Sequence, residues 1–209
     1  MKKPIKILLI VLASAIGLTI VLGLSLNVFS RQIGDFYLSR SNYNEAVIWY
    51  EREYDFYHSD NSLVTLIKSL LKVEGQYKEK AKYYSLAIEN KPTNMTEQDY
   101  EIFYIEYLFA LYQLDQISEF KEAFEMRYKL LIASSDYLSI LAPFTLIQQD
   151  SEATTEVLTW SIEMIEKIIT EYDYDDIKRF GYKFESLFYK RLGDLVKATE
   201  YEEKSNQYK

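Results

Sequence analysis

The chain contains no cysteine, which removes disulfides, thiolate nucleophiles and cysteine-based zinc sites together. His58 is the only histidine, so a His-rich metal site is excluded as well. It lies in "YHSDN" between two helical stretches and reads as a polar residue of a loop or helix end, without the partners a catalytic imidazole needs. Six glycines and three prolines supply little turn chemistry for the many short strands of an all-β fold. Long stretches rich in Leu, Ile, Glu, Lys and Ala favour helices instead, and the expected fold class is all-α. There is no Gly-rich phosphate loop, no G-x-S-x-G elbow and no HExxH, so no catalytic residue, cofactor or metal ligand is assigned and the chain does not read as an enzyme. Paired carboxylates of the glycosidase kind have no local spacing rule and stay open on sequence grounds.

Clustered Lys and Arg are also missing, although a nucleic-acid binder needs them to displace counterions from phosphates. The formal charge is −8, and because the first 30 residues hold three lysines and no acid, the remainder sets 21 bases against 32 acids. The densest acidic stretch, "EYDYDD" at 171–176, fails as an EF-hand loop, because Asp176 and Tyr182 stand where that loop needs Gly and Glu. It reads as a helix start, with Asp173 as cap and Asp176 at the positive helix end.

What is present divides the chain at about residue 30. Lys2, Lys3 and Lys6 precede 23 uncharged residues, Ile7–Phe29, of which fifteen are Leu, Ile, Val or Phe. At about 1.5 Å per residue a helix of that length covers roughly 34 Å, enough for a hydrocarbon core. A cleavable signal peptide is the rival reading; cleavage at "ASA", 13–15, would leave an apolar region of only about six residues, below the roughly 7 to 15 expected. Residues 1–30 therefore read as a short cytoplasmic tail and a transmembrane signal anchor. The flanking lysines place the amino terminus in the cytoplasm and the remainder outside it, as a single-pass protein. Ala15, Thr19 and Gly23 recur every four residues and could bring two such helices together.

Residues 31–209 carry a repeated pattern. Gly34-x2-Tyr37 is followed by Ala46-x3-Tyr50, and 34 residues further on Leu71, Tyr77 and Tyr84 stand where Tyr37, Tyr43 and Tyr50 stood. Ala87 and Pro92 complete the second unit, while Lys80 replaces an expected small residue. The spacing resembles the tetratricopeptide repeat, whose small residues let two antiparallel helices approach and whose aromatics fill the space between hairpins. Phe120 and Phe124 continue the step after a connection six residues longer, with Thr96-x-x-Asp99 as a capping signal before it. Residues 136–172 read as a helix pair without landmarks, turning near "QQDSE", with Pro143 kinking or restarting the first helix. Gly193-x-Leu195-x-x-Ala198 echoes Ser41-x-Tyr43-x-x-Ala46 and introduces a polar final helix. The expected architecture is a transmembrane helix followed by an α-solenoid of about five helical hairpins.

That resemblance implies a concave face lined by the first helix of each hairpin, where peptides or partner proteins bind. By register the face holds Arg31 and Asp35 in the first unit and Thr65, Ser69 and Lys72 in the second. The third contributes Phe109, Tyr112 and Gln113, and the last Lys183, Lys190 and Arg191. Aromatic anchors beside bases suit a peptide with an apolar side chain and a nearby carboxylate. Of the twenty tyrosines, those at 37, 43, 50, 77 and 84 are expected in the core, whereas Tyr104, Tyr107 and Tyr112 could reach the groove. The function expected is a membrane-anchored adaptor or assembly factor for envelope or secreted proteins. An extracytoplasmic small-ligand or peptide sensor and a cell-wall-acting enzyme are the alternatives.

Overall fold

The computed structural model describes residues 23, 25–132 and 140–208. Ten α-helices lie among them: α1 (Ser30–Ser39), α2 (Tyr43–Tyr57), α3 (Asp60–Leu70), α4 (Tyr77–Asn90), α5 (Glu97–Gln113), α6 (Ile117–Ile132), α7 (Ala142–Gln149), α8 (Thr155–Glu171), α9 (Asp175–Arg191) and α10 (Leu195–Asn206). The chain forms two compact units, Met1–Tyr100 and Glu101–Lys209, which divide inside α5.

The expected transmembrane helix is corrected here. No described helix is long and apolar enough to cross a membrane. The longest, α5, α8 and α9, have 17 residues each and carry acids within their spans, short of the roughly 20 apolar residues a spanning helix needs. Among the described residues the fold class is all-α, without that element. Most of the segment that suggested it, residues 1–22 and 24, lies outside the described residues, together with Ala15 and Thr19. The remaining part, Ser25–Val28, is helical and leads into α1.

The opening pattern of the repeat has a direct packing cause. A Cβ on Gly34 would lie 2.6 Å from Cε1 of Tyr50, so only glycine lets α1 meet the ring that α2 presents. Tyr50 is fully buried beside Ala46, and its hydroxyl donates to Asp35 Oδ1 at 2.7 Å. Tyr84 and Ala87 are fully buried in α4, and Lys80 is 6% exposed at the position where small residues were expected. In the second unit Phe120 and Phe124 of α6, Phe144 of α7 and Trp160 of α8 form one aromatic cluster, with ring centroids 5.3–6.2 Å apart. Each fully buried ring contributes about 1.5–3 kcal/mol.

The turns repeat as well. Ser41, Gly75, Asp115 and Gly193 each adopt a left-handed conformation between the two helices of a hairpin, with φ of 57°, 73°, 57° and 83°. In three of them the following amide closes the first helix in the same way: Asn42 N–H donates to Tyr37 O, Gln116 to Leu111 O and Asp194 to Tyr189 O. The turn from α7 to α8 differs, since Asp150 accepts from the Glu152 amide and Thr154 caps α8 through Val157 N–H. Thr96 and Asp99 cap α5 reciprocally, as their spacing predicts. Pro143 sits in the first turn of α7, where its missing N–H costs no helical bond, so it starts that helix and does not kink it. Asp173 is not the cap of α9; Tyr174 holds that position, and Asp173 pairs with Lys178.

Successive hairpins are tied by side chains about one repeat apart. In the first unit Arg31 donates to Thr65 (34 residues apart), Tyr83 to Glu51 (32) and Lys68 to Asp99 (31). In the second, Lys121 donates to Glu156, Trp160 to Glu125 and Tyr201 to Glu166, each 35 residues apart. Within each unit this is a repeat-like arrangement of helical hairpins, with neighbouring hairpins held to one another.

Candidate functional site

The eleven residues expected on a binding face divide by unit. In the first, Arg31 reaches from α1 to Glu53 Oε1 at 3.3 Å and to Thr65 Oγ1 at 3.2 Å. Glu53 is 6% exposed, and burial raises its pKa against the lowering effect of Arg31. Asp35 accepts the Tyr50 hydroxyl, and Lys72 is exposed with its ammonium 5.7 Å from the Tyr43 ring centre. Ser69 is corrected: it is 3% exposed and donates to Leu66 O at 2.6 Å, so it faces the interior and offers nothing to a partner.

In the second unit Tyr112 is also corrected. Its ring packs edge-on against Phe120, and its hydroxyl donates to Asp150 Oδ2 at 2.7 Å, leaving 8% of the residue exposed. That hydrogen bond is the largest cause of the lowered Asp150 pKa. Tyr104 is buried too, with its hydroxyl on Ala123 O. Gln113 is exposed at a hollow of about 360 Å³ that Tyr112 and Asp150 also line, and Phe109 is half-buried. Arg191 donates to Ile147 O at 3.0 Å and is thereby engaged with α7.

Lys183 and Lys190 are the two expected residues that the fold brings together in an open site. Both are exposed on α9 and line a cleft of about 750 Å³, with Leu187 between them and Phe180 one turn before Lys183, closed on its far side by α10. Among the described residues neither lysine has a carboxylate within ion-pair distance. Arg179, at one end of the cleft, pairs with Asp176 at 2.7 Å, yet its Nε atom is buried without a hydrogen-bond partner. Ser205 and Asn206 of α10 contribute uncharged polar groups, while Glu202 is the one acid on the lining. The site thus presents two lysines without carboxylate partners among the described residues, and Arg179 paired with Asp176, around an apolar strip in a chain of net charge −8.

The elements explain this placement. On α9 the opposite face holds Ile177, Gly181 and Phe188, which are buried, and a Cβ on Gly181 would lie 2.7 Å from Ile169 Cδ1 of α8. Gly181 therefore draws α9 onto α8 by one face and directs residues 180, 183, 187 and 190 away from it. The lysines were legible from the repeat register. Phe180, Leu187 and Gly181 were not, because the preceding hairpin lacks the landmarks that would have aligned them.

Other chemical candidates are absorbed by the fold. His58 ends α2 in a left-handed conformation, with its amide on Tyr54 O and its ring 5.5 Å from that of Tyr54. Asp173 and Asp176 pair with Lys178 and Arg179, and no group of three or more acids or histidines is placed to hold a metal ion among the described residues. No protein-family model matches the chain, and no curated protein matches it at a significant level.

Proposed function

We propose that the protein is a protein-interaction module of the tetratricopeptide type, an adaptor or assembly factor whose partner presents an apolar side chain beside a carboxylate. One observation carries the reading: Lys183 and Lys190 stand exposed in the α9–α10 cleft, without acidic partners, on either side of Leu187. Several other cations of this acidic chain are consumed internally, as Arg31 is by Glu53, Lys68 by Asp99 and Lys121 by Glu156, whereas Lys72 stands exposed beside the Tyr43 ring and, among the described residues, lines no cleft of this kind. Bases kept free around apolar surface favour an acidic partner through both area and charge complementarity.

The test is site-specific photo-crosslinking of the full chain in living cells, with the reactive residue at Lys72 or Gln113, an exposed position on each unit. A discrete protein adduct, weakened when Lys183 and Lys190 are both changed to Glu, supports the adaptor. Adducts only to polymer or small molecules, or a pattern unaffected by the double charge reversal, count against it.

A further inference from the structure

The repeat geometry says what shape of partner the α9–α10 cleft takes. Placed on each other by their equivalent turns, Ser41 on Gly193, the first and last hairpins close with the same amide-to-carbonyl bonds, Asn42 to Tyr37 and Asp194 to Tyr189. In that register Lys183 stands at the position of Arg31, Ser186 at Gly34, Leu187 at Asp35, Glu202 at Tyr50 and Ser205 at Glu53. In the first hairpin Gly34, Asp35, Tyr50 and Glu53 make contacts within the hairpin, while Arg31 and Tyr54 mark the face on which the next hairpin sits. Arg31 crosses to Thr65 of α3, and Tyr54, at the position of Asn206, packs edge-on against Tyr83 of α4 with centroids 5.8 Å apart.

The last hairpin keeps that face but changes its chemistry. Ser205 stands where Glu53 neutralises Arg31, so among the described residues Lys183 has neither the carboxylate nor the crossing contact that Arg31 makes. Phe180 and Leu187 supply apolar surface, and Arg179 and Lys190 add positive charge at its borders. The face that receives a helix in the first hairpin is thus here unpartnered, apolar along its middle and basic at its edges.

We infer that the α9–α10 cleft docks an amphipathic α-helix of a partner protein, apolar along one stripe and bearing Asp or Glu beside that stripe, in the position that the neighbouring hairpin takes on α1 and α2. This deepens the adaptor reading and rests on it. The occupant is a helix because the equivalent face is covered by helices. It is acidic because Lys183 and Lys190 have no anionic partner among the described residues. A second copy of this chain fits less well, since its own equivalent face would bring Lys183 and Lys190 against like charge.

The experiment uses the full chain and three labelled 16-residue peptides in fluorescence anisotropy. The first is an alanine-based helix with Leu at positions i, i+4 and i+7 and flanking Glu; the second has Lys for each Glu; the third has two central prolines. The acidic helix is expected to bind at least tenfold more tightly than either control, with an affinity that falls as salt rises. Lys183→Glu with Lys190→Glu should reverse the preference between acidic and basic helices, an outcome that loss of folding cannot mimic. Leu187→Arg should weaken both.

Equal binding of the proline peptide would overturn the helical occupant, and absence of binding by the acidic helix would overturn the site. Concentration-dependent dimerisation abolished by Leu187→Arg would replace the partner helix with a second copy. If crosslinks from Lys72 or Gln113 find a protein partner while the acidic helix does not bind, the adaptor stands and this docking mode fails. If neither experiment finds a partner, both fail.

Discussion

Glu185 carries the sharpest test of the packing around α9. Its side chain is fully buried, and neither carboxylate oxygen has a hydrogen-bond partner. Burial is the main reason its pKa is pushed up to about 9; Glu166 on α8 raises it further, and Lys204 on α10 opposes this only in part, being paired with Glu200 at 2.7 Å. Tyr201 on α10 donates to Glu166, and Tyr182 is the neighbouring titratable group on α9 itself. A carboxyl whose folded pKa lies above its unfolded value of 4.5 favours the fold when protonated, so its contribution is complete below pH 4.5 and is lost as pH rises towards 9. At pH 7 the loss is about 3 kcal/mol, from about 1.4 kcal/mol for each pH unit above the unfolded value. Glu185→Gln keeps the shape and removes the proton. Urea denaturation should therefore show the variant equal to the parent near pH 4.5 and more stable by about 3 kcal/mol at pH 7. Trp160 fluorescence in a Trp49→Phe background reports on the unit concerned, because each unit contains one tryptophan. A stability difference that stays constant between pH 5 and 8.5 would refute a neutral, buried Glu185.

Three further outcomes follow from features of the fold. Gly34→Ala should destabilise the first unit by about 1–3 kcal/mol in urea denaturation followed by Trp49 in a Trp160→Phe background, since its methyl would lie 2.6 Å from the buried Tyr50 ring; an unchanged midpoint would mean that the two helices can separate freely. Ser41→Gly should stabilise by about 0.5–1 kcal/mol by relieving a left-handed conformation, and Gly193→Ser should do the reverse. Tyr112→Phe removes the main cause of the lowered Asp150 pKa. Asp150 should contribute stability above its unfolded value of 3.8 and lose it as pH falls through the folded one, so the variant should lose about 1–2 kcal/mol at pH 7 and less at pH 2.5. An equal loss at both pH values would remove Asp150 from that account.

Legibility in this sequence followed the range of the cause. Gly34 with Tyr50, and Thr96 with Asp99, act within a hairpin or a single turn, and their spacing alone predicts what they do. Gly193 reads as a turn because glycine suits positive φ, whereas Ser41 and Asp115 adopt the same geometry without that residue and announce nothing. The cap of α9 was misplaced by one residue because Asp173 has a choice the sequence does not rank: capping an amide or pairing with Lys178. Ser69 and Tyr112 were expected at the surface because register specifies the side of a helix more coarsely than burial does. Glu53 and Glu185 were invisible, since what encloses each carboxylate is a helix distant in sequence. In the cleft, the charged rim was readable and its apolar floor was not. The transmembrane expectation rested on composition in residues 1–30, most of which the described structure does not include.

The ties between hairpins, each spanning little more than thirty residues, also govern how the molecule comes apart. Among the described residues α9 and α10 have neighbouring helices on one side only. Opening α9 and α10 severs the bonds from Tyr201 to Glu166 and from Arg191 to Ile147 and uncovers Ile165 and Ile169, while the aromatic cluster of α6, α7 and α8 can remain assembled. Such an excursion requires less free energy than global unfolding and sets the rate at which the terminal amides exchange with solvent. A helix seated against α9 and α10 would turn this terminal hairpin into an internal one. Occupancy would then be registered as slower hydrogen exchange at Gly181 and Phe188, on the face of α9 that the visitor never touches.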